Sequence, residues 1–166
     1  MRAGVALGSN LGDRLANLRN ARKDIAALSG VHPPVRASAI YETEPVGCET
    51  GAAKFLNAAM EFEYAGEARD LLCELAAIEK LLGRPATHAR NVSRTIDLDL
   101  LYFGELQIET AELQLPHPRT TEREFVLRPL ADIRPDLVLA KQTEPVRALL
   151  LRLSDAGAVV RVAGEW

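Results

Sequence analysis

Arg94-Thr-Ile-Asp97-Leu-Asp99-Leu-Leu-Tyr-Phe103 reads as a β-strand, yet it carries two carboxylates where a buried sheet asks for apolar groups. Strict alternation sends Ile96, Leu98, Leu100 and Tyr102 to one face and Asp97, Asp99, Leu101 and Phe103 to the other. The two acids then share a side, and two ionised carboxylates about 7 Å apart repel by about 2 kcal/mol at an effective dielectric of about 20. A cation between them removes that cost, and paired Asp oxygens with open water positions are a common way to hold Mg²⁺ beside a phosphorylated substrate. The solvated face of an edge strand is the plainer alternative for an Asp-x-Asp. Arg94, three residues before the first acid, either pairs with the acids or binds the phosphates that a metal bridges.

A chain of 166 residues suits one domain, 1–166. With 48% hydrophobic residues, 26% charged residues and a net charge of −3, it has the composition of a soluble globular protein with no basic excess for nucleic acid. Any anion site must therefore be local. Ala3 to Leu7 is too short for a signal-peptide core, and no run approaches the roughly 20 apolar residues of a membrane span. A cytoplasmic monomer is expected. Cys48 and Cys73 fit neither a redox pair nor a zinc site and read as reduced thiols.

Working outward, residues 2 to 8 form an apolar strand ending at Gly8-Ser9-Asn10-Leu11-Gly12-Asp13, a turn leading into a helix that carries Leu11, Leu15, Leu18, Ile25 and Leu28. Ser9 or Asn10 is expected to cap that helix, although such a turn could also cradle a ligand through its backbone. Gly30 to Pro34 breaks the chain before a strand over Val35 to Glu44. Thr43-Glu44-Pro45-Val46-Gly47 then opens a turn-rich, mobile connection running to about Ala53.

Phe55 to Tyr64 alternates as a strand, with Phe55, Asn57, Ala59, Glu61 and Glu63 on one face. Asn57, two residues from Phe55, either bonds local backbone or reads the donor and acceptor edge of a flat heterocycle. The helix over Glu67 to Leu82 has an apolar stripe of Leu71, Leu75, Ile78 and Leu82, with Gly83 as its stop. Glu79 lies on or beside that stripe, where it either snorkels to water or is a positioned acceptor.

The polar loop from Arg84 to Ser93, with His88 and Arg90, delivers the chain to the acidic strand as half of a phosphate clamp. A short hairpin follows Phe103-Gly104-Glu105-Leu106, and then comes Leu115-Pro116-His117-Pro118-Arg119, where two prolines stiffen His117. Helices from Phe125 and from Pro145 to Leu153 precede a last strand over Ala158 to Val162. Strands interleaved with two long helices predict an α+β, two-layer sandwich of ferredoxin-like type.

The blocks Gly8-Ser9-Asn10-Leu11-Gly12, Tyr41-Glu-Thr43-Glu-Pro45-Val46-Gly47, Phe55-Leu56-Asn57-Ala58, Ile78-Glu79 with Leu82-Gly83-Arg84, Arg94-Thr-Ile-Asp97-Leu-Asp99 and Pro116-His117-Pro118-Arg119 resemble, in order, those of the 6-hydroxymethyl-7,8-dihydropterin pyrophosphokinase family. The resemblance implies a mainly antiparallel ferredoxin-like sheet with helices packed on it and mobile active-site loops. It also implies pyrophosphoryl transfer from ATP to a pterin in folate biosynthesis. By the same resemblance Asp97 and Asp99 hold two Mg²⁺ ions, and Arg84 and Arg94 join them as catalytic residues. Glu79, Arg84, Arg94, Leu100, His117 and Arg123 line the ATP site, and Thr43, Pro45, Val46, Phe55, Asn57 and Phe125 the pterin site.

Ala86, Asn91 and Val92 depart from the arginine, tryptophan and small residue common in the family, and Glu112 and Gln114 differ as well. A divergent paralogue that binds nucleotide or pterin but transfers poorly, and a ferredoxin-like binding or regulatory module, are the alternatives these departures and the fold leave open.

Overall fold

The computed structural model describes residues 1–45, 51–84, 93–153 and 159–166. Val46, Gly47, Cys48, Ala86, His88, Arg90, Asn91 and Val92, named above, lie outside them. Strand β1 (Arg2–Ser9) is followed by α1 (Arg14–Ala26), β2 (Val31–Ala37), β3 (Ile40–Thr43), β4 (Phe55–Tyr64) and α2 (Ala68–Leu81). After β5 (Asp97–Phe103) come a short hairpin, β6 (Ile108–Glu109) with β7 (Gln114–Leu115), then α3 (Glu124–Ile133), α4 (Val146–Leu153) and β8 (Val160–Ala163). The large sheet runs β5-β1-β4-β3-β8, with β2 also paired to β4, and every pairing is antiparallel. No helix among the described residues is long and apolar enough to cross a membrane.

The expected sandwich is present, and α3 and α4 add cover on its opposite face. Val5, Leu7, Ala58, Met60, Phe62, Leu98 and Leu100 form one core with Leu18 and Ile25 of α1 and Leu71, Leu75 and Ile78 of α2. Leu101 and Tyr102 form a second core with Val126, Leu127 and Leu130 of α3 and Leu149 and Leu150 of α4. Polar contacts set the angle of α3. Asp132, near its end, accepts from Ala39 N at 3.1 Å and from the Tyr41 hydroxyl at 2.9 Å. The next residues carry Arg134 to Glu61 on β4.

Several local expectations change. The cap of α1 is Asp13, whose Oδ1 accepts from Ala16 N at 3.0 Å, and neither Ser9 nor Asn10 plays that part. Both are already engaged elsewhere in the folded chain, and Leu11 lies before the helix and is exposed. The expected strand over Val35 to Glu44 is two strands, and Gly30 to Pro34 does not break the chain. Pro33 and Pro34 fall where the β2–β4 register slips between His32 and Arg36, so their missing N–H groups remove no ladder bond.

Strict alternation also fails along β5. Val5 pairs with Leu100 but Gly4 with Tyr102, so Leu101 is an extra residue in the ladder. Leu101 and Tyr102 therefore both face α3 and α4, and Phe103 returns to the core of Leu98 and Leu100. Asp97 and Asp99 precede the bulge, so their shared side is unaffected.

Candidate active site

The acids of β5 open a row that crosses three adjacent strands. Asp97 is paired with Gly8 of β1, and Gly8 in turn with Asn57 of β4. Asp99 is paired with Ala6, one step along the same face. A methyl group placed on Gly8 would lie 3.4 Å from Asn57 Oδ1, 3.8 Å from Phe55 Cδ1 and 3.9 Å from Asp97 Cβ. The glycine thus leaves an open strip of backbone between an amide and a carboxylate. Asn57 is buried and donates from Nδ2 to Thr43 Oγ1 at 2.8 Å, which orients the amide, so its role is not that of a turn residue bonding local backbone. Pro45 follows at the end of β3.

Asp97 Oδ1 meets Arg84 Nη1 at 2.7 Å and Arg94 Nη1 at 2.9 Å. Arg84 also pairs with Glu79, whose Oε1 accepts from Leu98 N at 2.7 Å. Glu79 therefore faces the acids from the α2 stripe and does not snorkel to water. Burial pushes its carboxyl pKa up, against the lowering pull of the Leu98 N–H and Arg84. Asp99 is likewise pushed up, first by burial and then by the charge of Asp97. Arg123 Nη1 lies 4.0 Å from its Oδ2.

The bulge on β5 helps to hold His117, because Leu101 O accepts from His117 N at 2.8 Å. His117 Nδ1 accepts from Arg119 N at 3.2 Å, which leaves the ring proton on Nε2 in the neutral form. Burial lowers the His117 pKa, in opposition to the attraction of Asp99. Arg123 sits over the Phe125 ring, 5.4 Å from its centroid, at the start of α3. Leu100 has its side chain in the core, so any contact it makes with a ligand falls to its main chain.

The donor set fits a hard divalent cation. Two carboxylates share a side, and burial followed by the charge of Asp97 raises the pKa of Asp99. No cluster of three or more His, Cys, Asp or Glu ligands exists among the described residues, so the remaining positions would fall to water and phosphate oxygens. Among the described residues, Arg84 Nε is buried beside the acid pair without a hydrogen-bond partner, and so is Thr95 Oγ1 on the approach to β5.

Of the residues expected at the site, Glu79, Arg84, Arg94, Asp97, Asp99, His117 and Arg123 form one charged group, while Thr43, Phe55 and Asn57 lie beyond Gly8. Sequence reading overlooked Gly8 as an open floor and Thr95 as an orphan hydroxyl. Only the pairing of β1 between β5 and β4 reveals the first, and nothing in the sequence marks the second.

A model of the 7,8-dihydro-6-hydroxymethylpterin-pyrophosphokinase (HPPK) family matches residues 4–135. A 2-amino-4-hydroxy-6-hydroxymethyldihydropteridine pyrophosphokinase of Bacillus subtilis is 47% identical over 132 residues, covering 78% of this chain and 75% of the relative. One from Methylorubrum extorquens is 41% identical over 156 residues, covering 94% and 96%. Among solved structures, a Plasmodium falciparum HPPK-DHPS variant with pterin and p-hydrobenzoate superposes with a TM-score of 0.70 at 14% identity. That match covers 93% of this chain and 44% of the solved one, so it bears on the fold alone.

Proposed function

Because the chain belongs to the 7,8-dihydro-6-hydroxymethylpterin-pyrophosphokinase family, we propose that it transfers the pyrophosphoryl group of ATP to 6-hydroxymethyl-7,8-dihydropterin, a step of folate biosynthesis. The observation that carries this reading is the Asp97–Gly8–Asn57 row. It sets a metal-type acid pair two strand spacings, about 10 Å, from an oriented amide, a span suited to a bicyclic ring with a one-carbon arm. The pterin edge is read by Asn57, and its ring is flanked by Thr43, Pro45, Val46, Phe55 and Phe125. ATP is held by Glu79, Arg84, Arg94, Leu100, His117 and Arg123.

In the reaction the hydroxymethyl oxygen attacks the β-phosphorus, the bond from that phosphorus to the oxygen bridging to the α-phosphorus breaks, and AMP leaves. The protein's own work is to align the two substrates and neutralise charge. Arg84 and Arg94 exchange part of their contact with Asp97 for phosphate oxygens, and Arg84 Nε, which has no partner among the described residues, gains one. Asp97 and Asp99 would hold two Mg²⁺ ions, which supply neutralisation of the phosphate charge when bound. Asp97 can also accept the hydroxyl proton, although coordination to a cation weakens it as a base.

Incubation with ATP, Mg²⁺ and 6-hydroxymethyl-7,8-dihydropterin should release AMP and a pterin diphosphate, with no AMP when either Mg²⁺ or pterin is omitted. Formation of ADP, or the absence of nucleotide turnover, would refute the proposal.

Two substitutions separate the pterin half of the site from the nucleotide half. Asn57→Ala leaves the ring's polar edge unpaired in a closed site, at a cost of about 1 to 3 kcal/mol. Calorimetric titration should therefore show weaker pterin binding and unaltered MgATP binding. Equal losses for both ligands would mark Asn57 as structural. Gly8→Ala places a methyl group at ordinary contact distances from Asn57, Phe55 and Asp97, so the melting temperature should stay near the parent's. The methyl occupies the strip proposed for the ring, and pterin affinity should fall by about tenfold or more, an overpacking cost of about 1 to 3 kcal/mol. Undiminished pterin binding would show that the ring does not lie over β1.

A further inference from the structure

Asn10, one of the two residues expected from sequence to cap α1, is buried with 2% exposure and joins three separate segments. Its backbone N–H donates to Arg94 O at 3.2 Å, and its side-chain Oδ1 accepts from Arg94 N at 2.8 Å. Nδ2 donates to Ser93 Oγ at 3.1 Å and to Ala53 O at 3.3 Å. The amide orientation is fixed chemically, because a flipped group would set its oxygen against the Ala53 carbonyl and its NH₂ against the Arg94 N–H. Both backbone polar groups of Arg94, its N–H and its C=O, are thereby fastened to the end of β1, three residues before the carboxylate that the Arg94 guanidinium meets at 2.9 Å. The same amide ties down Ala53, two residues before β4 and the Phe55–Asn57 segment.

We propose that Asn10 is a positioning residue that holds the Arg94 guanidinium at the acid pair while fixing the entry to β4, so that one side chain sets the nucleotide-facing cation against the pterin-facing strand. The inference rests on the pyrophosphokinase reading only for what Arg94 does once it is in place. Arg94 is joined to its own guanidinium by a flexible side chain, and the acid pair gives that chain one of its ends. The other end is the backbone, and Asn10 holds it on both sides.

The test is a double-mutant cycle on Asn10→Ala, Arg94→Ala and the combined variant. It is read by calorimetric titration of Mg²⁺ with α,β-methylene-ATP and by AMP-forming turnover with pterin. A residue that acts through Arg94 gives strongly non-additive losses. Asn10→Ala should weaken analogue binding by about tenfold and lower kcat by about 30-fold, and the combined variant should lie within about threefold of Arg94→Ala in both readouts. Losses that multiply, or an Asn10→Ala protein that binds and turns over like the parent, would overturn the proposal. A merely structural Asn10 would lower the melting temperature and leave the cycle additive. Should Asn10→Ala fail to fold, Asn10→Ser, whose hydroxyl can accept a hydrogen bond, takes its place in the same cycle. If the parent releases no AMP, the pyrophosphokinase reading fails, and the analogue-binding cycle still decides the role of Asn10.

Discussion

Replacing either acid of β5 by its amide, Asp97→Asn or Asp99→Asn, is expected to lower AMP-forming turnover by at least about 100-fold, because on the proposed reading each would remove a carboxylate charge that holds Mg²⁺ at the transferring group. The two variants should differ in the metal-free protein. Asp99 is half-buried and faces the charge of Asp97, and its ion pair with Arg123 is long at 4.0 Å, so neutralising it relieves a cost and should raise the melting temperature. Asp97 balances both Arg84 and Arg94 at 2.7 and 2.9 Å, so the amide leaves two half-buried guanidinium groups under-compensated and should lower it. Full turnover by either variant with Mg²⁺ would end the reading of these acids as metal ligands. A much milder loss for one would say that one ion carries most of the charge neutralisation.

The second large effect lies on β1, four residues before Gly8. A methyl group on Gly4 would fall 2.0 Å from Tyr102 Cε1 and 2.5 Å from Cζ, far inside contact distance. The ring crosses this glycine so that its hydroxyl can donate to Glu61 Oε2 at 2.6 Å, and Glu61, almost fully buried, also holds Arg134 and draws on Arg36 at 4.0 Å. Burial and Glu61 together push the Tyr102 pKa strongly upward, which keeps the hydroxyl a donor.

Gly4→Ala must therefore expel the ring. Overpacking costs about 1 to 3 kcal/mol, and loss of a charge-assisted bond from a buried carboxylate about 1.5 to 3 more. A fall in melting temperature on the order of 10 °C should follow, larger than for Tyr102→Phe, which loses the bond but keeps the ring's place. A Gly4→Ala protein that melts with the parent would show that the sheet yields easily here. The contrast with Gly8→Ala is instructive, because two glycines on one face of one strand serve a packing contact at one end and an open floor at the other.

Much of this protein was legible from residue order alone. The faces of β4, the stripe of α2 with its stop at Gly83, the shared side of Asp97 and Asp99 and the misplaced Glu79 all follow from periodicity and from the cost of burying charge. These are local properties, and a chain of one sequence carries them wherever it goes. What pairing and packing decided was of another kind. The ladder bulge at Leu101 turned Tyr102 and Phe103 against their expected faces, because alternation counts residues while register depends on the neighbouring strand. Asp13 took the cap because α1 begins at Arg14, while the Asn10 side chain is used by Ser93 and the Ser9 hydroxyl accepts from Asn17 within α1. Glu61 is buried because α3 brings Arg134 to it across a sequence separation of 73 residues. Gly8 and Asn10 acquire their places at the site only when β1 lies between β5 and β4, since each depends on residues more than 40 positions away, and no local pattern encodes a contact of that range.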